Sequence, residues 1–154
     1  LLNSTIWTEE NSPYLVTGDV TISSGATLTI MPGVDVLFLA NSDDVVGGQT
    51  AYDSELIVQG TLHIAGTAEK GVTLTSSNRE PLMGDWGGIR VESGSLSIAY
   101  AFITYSGYGV DFYNVDYKSI NISDSSFISN GSVIKSVNSS QTVFTLSNNE
   151  FKDN

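Results

Sequence analysis

Apolar and polar residues alternate over short stretches along this chain, and no segment spaces its apolar residues with the 3.6-residue period of an amphipathic helix. In the first half these stretches lie at 20–22, 28–30, 34–36, 56–58, 62–64 and 72–74. Glycine-containing corners separate them, as at Gly25, Gly33 and Gly60. The one Asn-Gly pair, Asn130-Gly131, does not connect two such stretches, so tight hairpins are not indicated. The pattern therefore predicts short strands that coil instead of meandering.

The second half repeats its pattern at one constant interval. Three sets of apolar positions have numbers that differ by 24: Leu96, Ile120 and Phe144; Ile98, Ile122 and Leu146; Ile103, Phe127 and Phe151. A unit of this length, built from short strands, exposes its apolar side until a neighbouring unit stacks on it, which is typical of a β-solenoid. The length of the chain then corresponds to about six coils.

The whole chain, 1–154, is predicted to be one domain with three parts. Residues 1–19 form an N-terminal cap or first coil, in which we expect Trp7 and Leu15 to cover the core. Residues 20–95 form irregular coils, and residues 96–154 form the 24-residue repeats. Alternation is lost near 39–55, which predicts a loop inserted there. The last repeat stops at Asn154 without a recognisable cap, so we expect this end to continue in a longer rod or to be covered by another chain.

Several segments of the sequence together resemble those of a known protein family. They are YLVTGDVTI at 14–22, GATLTI at 25–30, PGV at 32–34, LIVQGTLHIAGTA at 56–68, VTLTSS at 72–77, WGGI at 86–89 and AYAFITYSG at 99–107. Through them the chain resembles, over roughly 7–154, the right-handed parallel β-helix repeat proteins of bacterial and archaeal cell surfaces, within the pectate-lyase-like fold superfamily. The resemblance implies an all-β, right-handed parallel β-helix. It leaves the activity open, because this fold serves as stalks, adhesins, surface-layer parts and polysaccharide-active enzymes.

Composition and net charge exclude several classes of binding partner. The chain has 17 acidic and 6 basic side chains, a net charge of −11, so no basic patch for nucleic acid or anionic lipid is expected. No apolar run approaches the length of a membrane span, and the absence of cysteine excludes disulfides and thiolate metal sites. Charged residues make up only 15% of the chain, and Ser, Thr, Asn and Gly are abundant. This balance is typical of secreted or cell-surface β-proteins.

The sequence contains no evident catalytic group. His63, the only histidine, alternates with the apolar Leu62 and Ile64 and is expected to point outward without a base, nucleophile or metal partner. Pectate-lyase-like enzymes, which the chain resembles in fold, use clustered acidic calcium ligands and an arginine or lysine base. No arginine or lysine of this chain lies beside a repeated Asp-x-Asp pattern. We therefore predict that the protein is not an enzyme.

Acidic residues are concentrated in the predicted loop. Asp43, Asp44, Asp53 and Glu55 offer carboxylate oxygens of the kind that calcium prefers, so a calcium site is one interpretation. Their spacing matches neither an EF-hand nor a glycine-rich nonapeptide repeat. A solvated acidic loop is the other interpretation. No other cofactor is expected.

Aromatic residues are concentrated after position 85. Trp86, Tyr108, Tyr113 and Tyr117 are candidates for contact with a partner subunit, a neighbouring domain or a glycan, since aromatic rings anchor interfaces and stack on sugars. Packing in the core is the alternative for part of this group.

Four asparagines fit the Asn-x-Ser/Thr glycosylation pattern. They are Asn3, Asn121, Asn130 and Asn138. In a chain so rich in Ser and Thr, several matches are expected by chance.

These observations favour a non-enzymatic extracellular structural module, a β-helix rod of a surface layer, adhesin or self-assembling filament. Its partners would be further copies or neighbouring domains of a longer chain. The alternative is a carbohydrate-binding or polysaccharide-active domain. A third possibility is ice binding through the outward pairs Thr27 with Thr29 and Thr73 with Thr75, although Thr is also an ordinary outward residue of strands.

Overall fold

The chain winds as a right-handed parallel β-helix in a computed structural model that describes residues 1–115 and 118–154. Its strands are β1 Thr5–Trp7, β2 Tyr14–Val16, β3 Val20–Ile22, β4 Thr27–Ile30, β5 Asp35–Phe38, β6 Glu55–Val58, β7 Thr61–Ala65, β8 Val72–Ser76, β9 Trp86–Val91, β10 Ser95–Ala99, β11 Ala101–Thr104, β12 Ser106–Tyr113, β13 Ser119–Ser123, β14 Ser126–Ile128, β15 Ile134–Val137, β16 Val143–Ser147 and β17 Glu150–Lys152. One 3-10 turn, Glu9–Asn11, lies between β1 and β2.

Each coil contributes one strand to each of three parallel sheets. The first sheet has the order β1-β4-β7-β10-β13-β16, the second β2-β5-β8-β11-β14-β17 and the third β3-β6-β9-β12-β15. Within the described residues this gives five coils with three strands and a sixth with two. The predicted fold class and the predicted number of coils are confirmed.

The core is a column of aligned apolar side chains. The three sets predicted from the constant interval are in register, since Ile120 pairs with Phe144, Ile98 with Ile122, and Ile103 with Phe127. Residues between them, such as Asn121, point outward because successive side chains of a strand alternate between its two faces.

Loop length explains why the first half looks irregular. Leu28 pairs with Leu62, and Leu62 pairs with Leu96, so the residue numbers in both pairs differ by 34. The numbers of Ser97 and Asn121, which pair in the regular coils, differ by only 24. Most of the additional residues lie at the corner between the second and third sheets, in loops 39–54 and 77–85, and residues 66–71 lengthen the corner between the first and second sheets. The first loop confirms the predicted insertion, except that Glu55 already belongs to β6.

The second loop corrects the expectation of a single insertion. Asp85 is buried at its end, and its Oδ2 accepts hydrogen bonds from the Ser76 hydroxyl, the Asn78 amide and the Leu82 N–H at 2.6–3.1 Å. One carboxylate thus closes the loop. The break in alternation at 77–85 was the available signal for it.

A ladder of polar side chains runs through the corner between the second and third sheets in the regular coils. Asn130 is fully buried, and its Oδ1 accepts from the N–H and the hydroxyl of Ser106 at 3.0 and 2.7 Å. Its Nδ2 donates to Ile103 O and to Asn154 Oδ1 at 2.9 and 3.0 Å. These bonds satisfy backbone groups that the turn leaves without ladder partners.

The two ends of the column differ. At the β1 end, Trp7 stacks on Tyr14 with ring centroids 4.7 Å apart, and both rings pack on the core. Leu15, which was expected to help cover this end, points outward and is 61% exposed, because Tyr14 and Val16 take the inward positions of β2. At the other end, apolar side chains of β16 and β17 are exposed.

Candidate functional site

The outer face of the third sheet carries an unusual row of side chains. Strand pairing places in one line Thr21 of β3, Ile57 of β6, Arg90 of β9, Asp111 of β12 and Lys135 of β15. Outward positions on a solenoid normally face water, yet Arg90 is 8% and Asp111 2% exposed. Charged side chains are rarely buried unless they are paired. We call this line of five residues the third-sheet row.

Arg90 occupies the centre of the row. Its Nη1 donates to Asp111 Oδ2 at 3.0 Å and to Gln49 Oε1 of loop 39–54 at 2.9 Å, and its Nε donates to Glu92 Oε1 at 3.1 Å. The guanidinium also lies 4.6 Å from the centroid of the Tyr113 ring, in cation–π geometry. A cation with this many fixed partners is held in one orientation.

Side chains of the neighbouring coils contact Asp111 and Glu92. Lys135 Nζ lies 3.8 Å from Asp111 Oδ2 and 4.2 Å from the centroid of the Tyr108 ring. The hydrogen bond from Gln59 to Glu92 lowers the pKa of that carboxyl, against the effect of burial, and Arg90 lowers it further. Asp111 Oδ1 is buried without a hydrogen-bond partner.

The four residues predicted to bind calcium do not converge. Asp43 Oδ1 accepts from the N–H groups of Val45 and Val46 at 3.0 and 2.9 Å, and Asp44 Oδ2 accepts from the Thr17 hydroxyl at 2.9 Å. Burial acts to raise the pKa of Asp43, but its backbone hydrogen bonds, led by the one from Val46, hold that pKa below its usual value.

The other two predicted ligands lie in different surroundings. Asp53 closes a small turn with Thr50, and burial raises its pKa. Glu55 is 2% exposed at the start of β6. Among residues 1–115 and 118–154 no three or more Asp, Glu or His side chains form a group that could hold a metal. The geometry therefore does not assemble the calcium site predicted from these four residues.

The aromatic candidates separate into core and surface. Trp86 is fully buried, stacks on Phe38 with centroids 3.9 Å apart and donates from Nε1 to Thr104 O at 2.9 Å, so its assignment to a contact surface is wrong. Alternation is broken at Gly88, whose φ is 122°, and Trp86 and Ile89 therefore both face the core. Tyr108 and Tyr113 lie on the outer face, while Tyr117 lies outside the described residues.

The glycosylation candidates also divide by exposure. Asn3, Asn121 and Asn138 are exposed and stay predictions. Asn130 is the buried rung of the polar ladder, and all of its side-chain bonds point inward, so its assignment as a glycan acceptor is wrong.

The threonine pairs do not form one surface. Thr27 and Thr29 are outward residues of β4 in the first sheet, whereas Thr73 and Thr75 belong to β8 in the second sheet. The two pairs therefore face different directions. They do not form the combined threonine ladder that was considered for ice binding.

Sequence reasoning missed Asp19 as a member of this region. Its Oδ1 accepts from the Glu55 N–H at 2.8 Å, and its Oδ2 is buried without a partner. Asp19 precedes β3 by one residue and Glu55 begins β6, so the two carboxyl groups stack on adjacent coils. The register between them spans the inserted loop and could not be counted from the sequence.

Comparison with known proteins agrees with the fold. A family model described as a pectate-lyase like beta helix domain matches residues 1–100. No curated protein and no solved structure gives a significant match to this chain. Among residues 1–115 and 118–154 no helix has the length and apolar character needed to cross a bilayer.

Proposed function

This chain belongs to the family of pectate-lyase-like β-helix domains, and we propose that it is a non-enzymatic structural module, a β-helix rod of a surface layer, adhesin or filament. Its proposed location is the cell surface or the extracellular space. The observation that carries the proposal is the continuous column of aligned apolar side chains, which runs through the described coils beneath an outer face whose charged side chains engage one another. Aromatic rings cover the β1 end of the column, and β16 and β17 present exposed apolar side chains.

Strands β16 and β17 present an apolar surface. Phe144, Leu146 and Phe151 continue the core column on β16 and β17, and each is 36–48% exposed. The outer edges of the two strands have no neighbouring strand among the described residues. Such an edge is a template for pairing with another strand. A stacked coil would bury the remaining surface of these side chains, which contributes roughly 1 kcal/mol for each.

The outer face supports a structural role over a catalytic one. A general acid or base has to reach the reacting atom of a substrate. Here Arg90, Asp111 and Glu92 are engaged with one another at 3.0–3.1 Å, and the two residues at the centre are nearly inaccessible. The described residues also enclose no pocket. These features favour a rod whose side chains stabilise its own surface.

Charge reversal on β16 tests the proposal. Leu146→Glu places a carboxylate in the inward column, whereas Thr145→Glu, its matched control, adds the same charge to the outward face of the same strand. Mass photometry and negative-stain electron microscopy should show end-to-end assemblies for the unaltered chain and for Thr145→Glu, and their loss for Leu146→Glu. A monodisperse monomer of the unaltered chain at micromolar concentration would refute the self-assembling rod.

A specific observation favours carbohydrate contact as a second candidate. Tyr113, 39% exposed, and Tyr108 lie on one outer face, each with a cation against its ring. Exposed rings of this kind stack on sugars. A glycan array should then give binding that decreases with Tyr113→Ala and Tyr108→Ala and persists with Tyr52→Ala, an exposed tyrosine on loop 39–54. Equal binding by all three variants would place the contact elsewhere.

A further inference from the structure

Part of loop 39–54 crosses the outer face at the edge of the third sheet. We call residues 42–50 the strap. On one side the Ser42 hydroxyl donates to Thr17 O at 2.8 Å, and the Thr17 hydroxyl donates to Asp44. On the other side Gln49 accepts from Arg90 at 2.9 Å. The strap is thus attached to two different coils and covers what lies between them.

Two carboxyl groups lie beneath the strap. A Cβ on Gly47 would stand 2.6 Å from Asp19 Oδ2, and a Cβ on Gly48 would overlap Glu55 Oε2 and stand 3.4 Å from Asp19 Oδ2. The Gln49 N–H donates to Glu55 Oε2 at 2.5 Å. Only glycine leaves enough space for the strap to lie this close, so the closed strap covers the buried Glu55 carboxyl and the Oδ2 atom of Asp19.

The charges around the pair do not neutralise it. Asp43 of the strap faces Asp19, and its Oδ1 also lies 3.4 Å from the Asp19 N–H. Arg90 of β9 is the cation that acts on Glu55, but it is already engaged by Asp111 of β12 and by Glu92. Lys135 of β15 is directed to Asp111. A buried carboxylate beside a half-buried one, with this little compensation, is costly when both are ionised.

We propose that the strap is a proton-controlled latch, closed while the Asp19–Glu55 pair holds one proton and opened when that proton leaves to solvent. A proton on Glu55 makes this carboxyl neutral and turns it into a hydrogen-bond donor near Asp19 Oδ2, a buried atom without a side-chain partner that is approached by the Gly47 backbone of the strap. Opening frees Gln49 from Arg90 and exposes the third-sheet row to solvent. The latch does not depend on whether the rod self-assembles.

The direction in which strap closure responds to pH follows from the pKa of Glu55. Burial, and after it the charge of Asp19, raise the pKa of Glu55 from 4.5 to about 7 in the closed state. Burial also raises the pKa of Asp19. Because the pKa is higher in the closed state than in the open one, the proton favours closure at low pH. Closure weakens as the pH rises from 4.5 towards 7. Between pH 5 and pH 8 the opening equilibrium should increase roughly 50- to 100-fold.

Amide hydrogen exchange on the full chain tests the latch. Mass spectrometry of peptides covering 42–50, corrected for the intrinsic pH dependence of exchange, should show protection falling by roughly 50- to 100-fold between pH 5 and pH 8. Glu55→Gln keeps the size of the side chain without its charge and should keep the strap protected at both pH values. Glu69→Gln, an exposed position between β7 and β8, is the matched control and should behave like the unaltered chain.

Each remaining outcome is decisive. Protection that does not change with pH in the unaltered chain, or that changes equally in Glu55→Gln, overturns the latch. Recovery of protection at pH 8 on adding Ca²⁺ also overturns it, because the pair would then hold a cation in place of the proton. If Glu55→Gln does not fold, Asp19→Asn serves instead. Removing the adjacent charge should move the transition to lower pH, and an unmoved transition contradicts the proposal.

Discussion

Replacing Asn130 by alanine removes one rung of the polar ladder without touching the outer surface. The side chain makes four hydrogen bonds at 2.7–3.0 Å, two through Oδ1 to Ser106 and two through Nδ2 to Ile103 O and Asn154. The Ser106 N–H and hydroxyl and the Ile103 carbonyl would lose these partners in a fully buried corner. The variant thus tests whether the ladder stabilises the turn.

The expected loss is large for one substitution. A buried polar group left without a partner costs about 1–3 kcal/mol. Three such groups, with some relaxation, give a decrease of about 3–5 kcal/mol in the free energy of unfolding, against about 5–15 kcal/mol for a typical domain. Asn130→Ser keeps a hydroxyl like that of Ser106 one coil earlier, so it should lose less.

Urea denaturation followed by circular dichroism measures this loss. Asn121→Ala is the matched control, since Asn121 shares the same sequence pattern but is exposed on the first sheet. Its free energy of unfolding should stay within about 0.5 kcal/mol of the unaltered value. If Asn130→Ala changed stability as little as Asn121→Ala, the ladder would be incidental to the fold.

Two further predictions follow from backbone conformation and from charge. Ser129 has a φ of 57°, which disfavours side chains, so Ser129→Gly should raise the free energy of unfolding by about 0.5–1 kcal/mol in urea, and Ser126→Gly on β14 should lower it. The pKa of Glu92 lies below its usual value in the folded state, so its contribution to stability is present above pH 4.5 and is lost as the pH falls through the folded pKa. Urea titrations between pH 6 and pH 3 should show a smaller loss for Glu92→Gln, and an equal loss would contradict the hydrogen bond with Gln59.

The regular coils could be predicted from sequence because their repeat length is constant. Ile103, Phe127 and Phe151 follow one another at equal intervals, and strand pairing places them on one another. Counting alone gave their register and their inward direction. Counting did not predict which polar residues are buried. Asn130 has the same local pattern as Asn138, but only a neighbouring coil that places Ser106 beside it makes it a buried rung.

The third-sheet row could not be predicted from the sequence, because the repeat length is not constant in the coils that form it. The interval from Ile57 to Arg90 is much longer than the interval from Arg90 to Asp111, so no single period brings the three together. Loop 77–85 lengthens the first interval. Short connections at 92–94, 100 and 105 keep the second interval short, although the register shift between Tyr108 and Val110 adds one residue to it. From the sequence alone, the charged residues of the row were interpreted as scattered surface charges. Their contact depends on loop lengths that only the folded coils define.

The division between regular and irregular coils has a consequence for function. Both insertions leave the rod at the same corner, between the second and third sheets, and loop 39–54 turns back over the third sheet. Insertions at one corner change the outer face beside them without disturbing the strands that carry the core. The regular coils from β10 onward continue the column, which suits stacking, and the long coils supply the strap and Arg90. A rod that only had to stack would not need the strap, so the latch and the stacking end are separable properties, and variants at Glu55 and at Leu146 should affect one without the other.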